Sequence, residues 1–255
     1  MQYSVTTLIF GILIPFIGTT LGAASVFCFK KEIKPSLNRF LLGFSSGVMV
    51  AASIWSLLLP AIEMKSHMGK FSFVPAAIGF FLGVIILLII DWVTANFFEK
   101  HNHSDKKETW LLTLAVTLHN LPEGMAVGVA FAAAMLNGTS IGMMGAMVIA
   151  IGIAVQNIPE GAIISMSFSK SGKLKAFGIG TLSGVIEPIA ATITLFLAKF
   201  ISPILPYLLA LAAGAMIFVV IKELIPKASK EERSYIGIIG FTIGFLIMMS
   251  LDVAI

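Results

Sequence analysis

His119-Asn120-Leu121-Pro122-Glu123-Gly124 sits inside a long apolar run, and the next apolar run echoes it once, as Gln156-Asn157-Ile158-Pro159-Glu160-Gly161. An ionisable residue deep in an apolar segment is costly and by default marks a functional site. Both hexapeptides carry a Glu, and both place an imidazole or amide four residues before it. Positions i and i+4 share a helix face, so His119 lies over Glu123 and Gln156 over Glu160. Asn120 and Asn157 stand three residues before the same carboxylates. At about 100° per residue, Glu123 falls in azimuth between His119 and Asn120. One carboxylate could then serve two neighbouring sites.

The prolines sharpen this reading. Pro122 and Pro159 have no N–H, so the carbonyls of Leu118 and Val155 lose their helical partners. In lipid those carbonyls need a side chain, water or an ion instead. A single proline in such a helix predicts a kink and nothing more. The doubled block, with nitrogen, oxygen and carboxylate groups at both kinks, predicts a cation site.

Composition sets the solvent. The chain has 255 residues, 58% hydrophobic and 12% charged, with mean hydropathy +0.99, against roughly 25% charged in a soluble domain. An all-α, polytopic integral membrane protein forming one domain over 1–255 is expected. Its net charge of +4 does not point to nucleic acid, because the basic residues have a better use in the loops. Cys28 is the only cysteine, which excludes an intrachain disulfide and a thiolate cluster. No Lys or Arg precedes the first apolar run and no small-residue cleavage site follows it. That run is expected to be a retained helix, not a signal peptide.

A span needs about 20 apolar residues. Eight fit, at 5–29, 37–62, 73–98, 110–136, 140–168, 174–200, 204–225 and 235–253. Lys30, Lys31, Lys34 and Arg39 flank the first link. Lys100, Lys106 and Lys107 lie in the third, Lys170, Lys173 and Lys175 in the fifth, and Lys222, Lys227, Lys230 and Arg233 in or beside the seventh. The even links hold only Lys65, Lys70 and Lys199. The positive-inside rule then makes the odd links cytoplasmic and both termini extracytoplasmic.

The fourth and fifth spans are thus antiparallel, and each motif Glu lies about 15 to 24 Å from a cytoplasmic lysine at helical rise. Related elements of opposite topology around a central site are a transporter pattern. Glu187, followed by Pro188, reaches the same depth on the sixth span. Three carboxylates in low dielectric repel one another, and protons or a metal would relieve them. Small residues at four-residue spacing, such as Gly79/Gly83, Gly124/Gly128 and Gly240/Gly244, let helices approach closely. Asp91 and Glu223, near inner helix ends, either line an exit or snorkel to the interface. His101 and His103 collect metal in the third link or are ordinary loop residues. Glu63, His67 and Asp252 read as solvated groups near the outer surface.

The paired His-Asn-x-Pro-Glu-Gly and Gln-Asn-x-Pro-Glu-Gly blocks on the fourth and fifth of eight spans resemble those of the ZIP (Zrt-, Irt-like) divalent-metal transporters. The GufA-like bacterial branch is the most similar. The resemblance covers essentially the whole chain, including Glu187-Pro188. It implies a 3+2+3 arrangement, with the first three and last three helices as inverted repeats around the fourth and fifth. It also implies a binuclear site midway across the membrane. His119, Glu123, Gln156 and Glu160 fall on one metal position, joined by Met49. Asn120, Glu123, Asn157, Glu160 and Glu187 fall on the second. Asp91 and Glu223 match inner-end positions involved in release. Helices one, four, five and six are implied to move as a body against two, three, seven and eight. There are departures: Gln156 stands where many members have His, Asn157 where some have Asp, and Lys222 where a metal-binding His can precede the acid at Glu223.

The resulting expectation is a transporter that moves a divalent transition metal into the cytoplasm across the inner (plasma) membrane. Zn²⁺ comes first, with Cd²⁺, Fe²⁺ and Mn²⁺ as further cargo. No prosthetic group is expected. The expected partners are the metal ion, the lipid bilayer and a second copy of the chain. An intramembrane metalloenzyme or a metal sensor is the alternative. No His-Glu-x-x-His motif is present to favour the enzyme.

Overall fold

Apolar segments in lipid fold as helices because every backbone N–H and C=O must find its partner within the segment. The computed structural model describes residues 5–28, 34–99, 105–135, 141–200, 202–230 and 234–254. His101 and His103 lie outside the described residues. So do the side chains of 94, 95, 97–99, 105–119, 167, 198–200 and 202, His119 among them.

Among the described residues the chain is helical, with short 3₁₀ turns and no strand. Helix α1 spans Val5–Cys28, α2 Pro35–Glu63, α3 Phe73–Glu99, α4 Asp105–Met135 and α5 Met143–Ser167. Helix α6 comprises Lys173–Gly184 and Ile186–Phe200, α7 spans Leu205–Ala228 and α8 Ile236–Ala254. Among the described residues seven of these, all but α4, are long and apolar enough to cross a membrane. This is a multi-pass membrane protein.

Burial sorts inner from outer helices. Two thirds of the apolar window of α2 and of α5 is buried (67% each), against 28% for α3 and 22% for α8. Outer helices turn Phe81, Ile86, Ile89, Ile239, Ile243 and Leu246 outward, toward a solvent as apolar as their core. On α4, Ala126 to Ala134 are all buried, so the helix carrying the first motif runs through the middle.

The helices pair in a two-fold pattern. The most extensive contacts join α1 to α5, α4 to α6, α2 to α8 and α3 to α7. Exchanging α1–α3 with α6–α8, and α4 with α5, maps this set onto itself. Local geometry obeys the same exchange. Helix α2 widens to a π-helical stretch at Ala52–Leu58 and α7 at Val220–Leu224. Each ends just before a proline, Pro60 or Pro226, and Leu59 and Ile225 donate five residues back, to Ile54 and Val220. The proline offers no N–H and crowds the preceding turn, and a wider turn absorbs the clash without breaking the rod.

The 174–200 stretch differs from its sequence reading as one continuous span. It breaks at Val185, whose N–H turns back to the Leu182 carbonyl at 3.2 Å. Pro188 supplies no N–H to the carbonyl of Gly184, so the turn tightens there. By contrast α4 and α5 continue through Pro122 and Pro159.

Candidate metal centre

Each motif ends in a glycine that fixes its neighbour. A Cβ on Gly124 would lie 2.3 Å from the Glu187 carbonyl oxygen, and one on Gly161 2.1 Å from that of Thr19. Only glycine permits this approach. It lays α6 on the first motif and α1 on the second, so the acid of Glu187-Pro188 arrives beside Asn120 and Glu123.

The side chains then interlock across helices. Gln156 Nε2 donates to Glu123 Oε1 at 2.7 Å. Asn120 Nδ2 donates to Glu187 Oε1 at 2.8 Å and to the Ser183 carbonyl, beside the α6 break, at 3.1 Å. Thr19 Oγ1 donates to the same Glu187 Oε1 at 2.7 Å. Ser45 Oγ of α2 donates to the Gln156 carbonyl at 3.1 Å. Asn157 and Glu160 both lie near Glu123 and Glu187. Glu123 and Gln156 are fully buried; Asn120, Asn157 and Glu187 are almost so, and Glu160 is half-buried.

These bonds leave much unsatisfied. Glu123 Oε2, Glu187 Oε2, Asn120 Oδ1, Gln156 Oε1 and both polar atoms of Asn157 are buried without a hydrogen-bond partner. A buried polar atom left unpaired costs about 1 to 3 kcal/mol, more when charged. So many unpaired acceptor oxygens on three adjoining helices suit a cation that comes and goes. Among the described residues no three His, Cys, Asp or Glu side chains already converge as a metal cage. The acids are instead bonded to amides and a hydroxyl, which a metal would have to displace or share.

The remaining candidates are placed as follows. Met49 is fully buried on α2, one turn beyond Ser45 and on the same face. Asp91 forms an ion pair with Lys222, and Lys227 Nζ lies 2.7 Å from Glu223 Oε2. Both acids therefore already have cationic partners. Asp252, read from sequence as merely solvated, is half-buried and accepts from Ser56 Oγ at 2.7 and 2.8 Å. This contact is the two-fold counterpart of Asp91 with Lys222. Ser56 and Lys222 each stand four residues before the proline of a π turn, and Asp252 and Asp91 each twelve after a packing glycine, Gly240 or Gly79. The sequence reading missed Thr19, Ser45, Ser56 and Ser183. The one available signal was Gly18-Thr19-Thr20-Leu21-Gly22, a hydroxyl within a glycine pair.

Sequence similarity points to one family. A family model described as ZIP Zinc transporter matches residues 107–252. The "Zinc transporter ZIP11" of Xenopus tropicalis is 33% identical, covering 93% of this chain and 94% of its own. The "Zinc transporter ZIPB" of Bordetella bronchiseptica is also 33% identical, over 94% of this chain and 78% of its own. The "Zinc transporter GufA" of Myxococcus xanthus is 31% identical, over 93% and 94%.

Proposed function

Because the chain belongs to the ZIP family, we propose that it carries a divalent transition metal, zinc first, into the cytoplasm. The observation that carries this reading is the set of unpartnered, buried acceptor oxygens on Asn120, Glu123, Gln156, Asn157 and Glu187. His119, Glu123, Gln156 and Glu160, with Met49, would hold one metal. Asn120, Glu123, Asn157, Glu160 and Glu187 would hold the second. Carboxylate, amide and imidazole donors suit Zn²⁺ and also accept Cd²⁺, Fe²⁺ or Mn²⁺. The metal is cargo, and the protein's part is to bind it midway and release it.

In this reading α4 also crosses the membrane, which makes eight crossings, and both termini face away from the cytoplasm, in the inner (plasma) membrane, with a homodimer as the assembly. Release would pass Asp91 and Glu223, where a departing metal competes with Lys222 and Lys227.

Two bodies, α1/α4/α5/α6 and α2/α3/α7/α8, would slide past each other to expose the site alternately. Packing supports this division. The four most extensive helix pairings all lie within one body or the other. Among the described residues, every glycine whose Cβ would strike another helix's backbone does so within its own body. Gly152 faces across the boundary, toward the Met248 side chain. Locked backbone contacts within bodies and adaptable side chains between them are what a sliding interface needs.

The test is Zn²⁺ uptake by vesicles reconstituted with the full chain. Saturable uptake, lost when Glu123 and Glu160 are both replaced by Ala, is the expected result. Zn²⁺ bound without flux would indicate a sensor. A hydrolytic activity dependent on bound metal would indicate the enzyme. Wild-type uptake by the double variant would refute the site.

A further inference from the structure

The two-fold exchange carries Gly124 onto Gly161. These glycines rest on the carbonyls of Glu187 and Thr19, so the exchange carries Glu187 onto Thr19. At the central site one half of the molecule supplies a carboxylate where the other supplies a hydroxyl, and the two touch. We infer that Thr19 is a positioning residue for the second metal position, holding Glu187 so that its Oε2 is the oxygen offered to the metal. This rests on the transport reading above and adds a residue to it.

The geometry is specific. Thr19 Oγ1 and Asn120 Nδ2 both donate to Glu187 Oε1, at 2.7 and 2.8 Å. Glu187 Oε2 is buried with no partner. A threonine inside a helix commonly turns its hydroxyl back to the carbonyl four residues earlier. Here that carbonyl, on Pro15, is 3.4 Å away. The shorter contact takes the proton, and a hydroxyl has only one to give. Thr19 is 1% exposed, and glycines cradle it on two sides. A Cβ on Gly184 would come within 2.8 Å of Thr19 Cβ and 3.0 Å of its Oγ1, and Gly161 abuts its carbonyl. The side chain is thereby fixed in the orientation that meets Glu187.

A carboxylate pinned at one oxygen presents the other in a set direction, without losing side-chain freedom when the metal arrives. Outer partners of this kind are typically worth about 10- to 100-fold in metal affinity. Thr19 is itself no ligand in this account; it acts through Glu187.

The experiment is calorimetric titration of Zn²⁺ and Cd²⁺ into the purified full chain in lipid nanodiscs, with vesicle uptake measured in parallel. Wild type should bind two metals. Thr19→Val, nearly the same shape without the hydroxyl, should weaken one of the two by about tenfold or more, and Thr19→Ser should restore it. Gly184→Ala, which pushes the Thr19 hydroxyl off Glu187 without touching a ligand, should weaken the same one. In a Glu187→Ala background Thr19→Val should cost nothing further, because what it positions is gone. Thr19→Val binding both metals as wild type does would overturn the inference and leave the transport reading standing. So would an undiminished Thr19→Val loss without Glu187, or a single metal in wild type. A wild-type chain that neither binds nor carries metal would overturn both.

Discussion

Replacing Glu123 by Gln separates ligand from scaffold, because the two roles predict opposite signs. Glu123 Oε1 accepts from Gln156 Nε2 at 2.7 Å, Oε2 has no partner, and the side chain is fully buried. A glutamine keeps that shape and can still accept the bond from Gln156. A neutral amide also takes Glu123 out of the mutual repulsion with Glu160 and Glu187. The metal-free protein should therefore unfold at the same temperature as wild type or higher. Metal binding should move the other way. Removing one partner of a buried ion pair costs about 3 to 5 kcal/mol, a loss of at least about a hundredfold in affinity. At a Zn²⁺ concentration about 100 times the wild-type Kd, bound metal stabilises wild type by about 2.7 kcal/mol. The variant, with its Kd raised to that concentration, gains only about 0.4 kcal/mol. Thermal unfolding of the reconstituted protein with and without Zn²⁺ reads both effects, and vesicle uptake should fall in step with the lost metal shift. A variant that keeps the wild-type metal shift would show that Glu123 is not a ligand. One that unfolds several degrees lower without metal would show that the carboxylate is structural.

Gln156→His should tighten Zn²⁺ and Cd²⁺ binding and slow release, since an imidazole replaces a weak amide oxygen at a fully buried position and a carrier must also let go; unchanged binding isotherms would mean Gln156 does not meet the metal. Ligand carboxylates and His119 bind metal only when deprotonated, so binding should release protons and uptake should fall as external pH drops from neutral toward about 5. Initial rates at clamped membrane potential test this, and uptake that rises in acid would instead point to proton-driven symport. Gly124→Ala should cost about 1 to 3 kcal/mol, because its Cβ meets backbone and no side chain can yield. The variant should lose thermal stability and, by moving α6 off α4, metal affinity as well; wild-type values for both would refute the close approach.

Much of this protein was legible along the chain. Span length follows from bilayer thickness, and i, i+4 spacing puts Gln156 on the same helix face as Glu160 whatever the tertiary fold. The doubled motif and Glu187-Pro188 pointed to one central site because each places charge at a depth where charge needs a partner. Periodicity, however, orders residues only on their own helix. In lipid both faces of a helix are apolar, so no hydrophobic stripe announces which helix it meets. Tertiary structure alone therefore decided that Gly124 lies on Glu187 and Gly161 on Thr19, and that Glu123 is held by Gln156 rather than standing free. It also decided that Asp91 and Asp252 each find a partner beside a π turn. Thr19 was invisible for the same reason: a lone hydroxyl on an apolar helix acquires a role only when another helix brings a carboxylate within 2.7 Å of it.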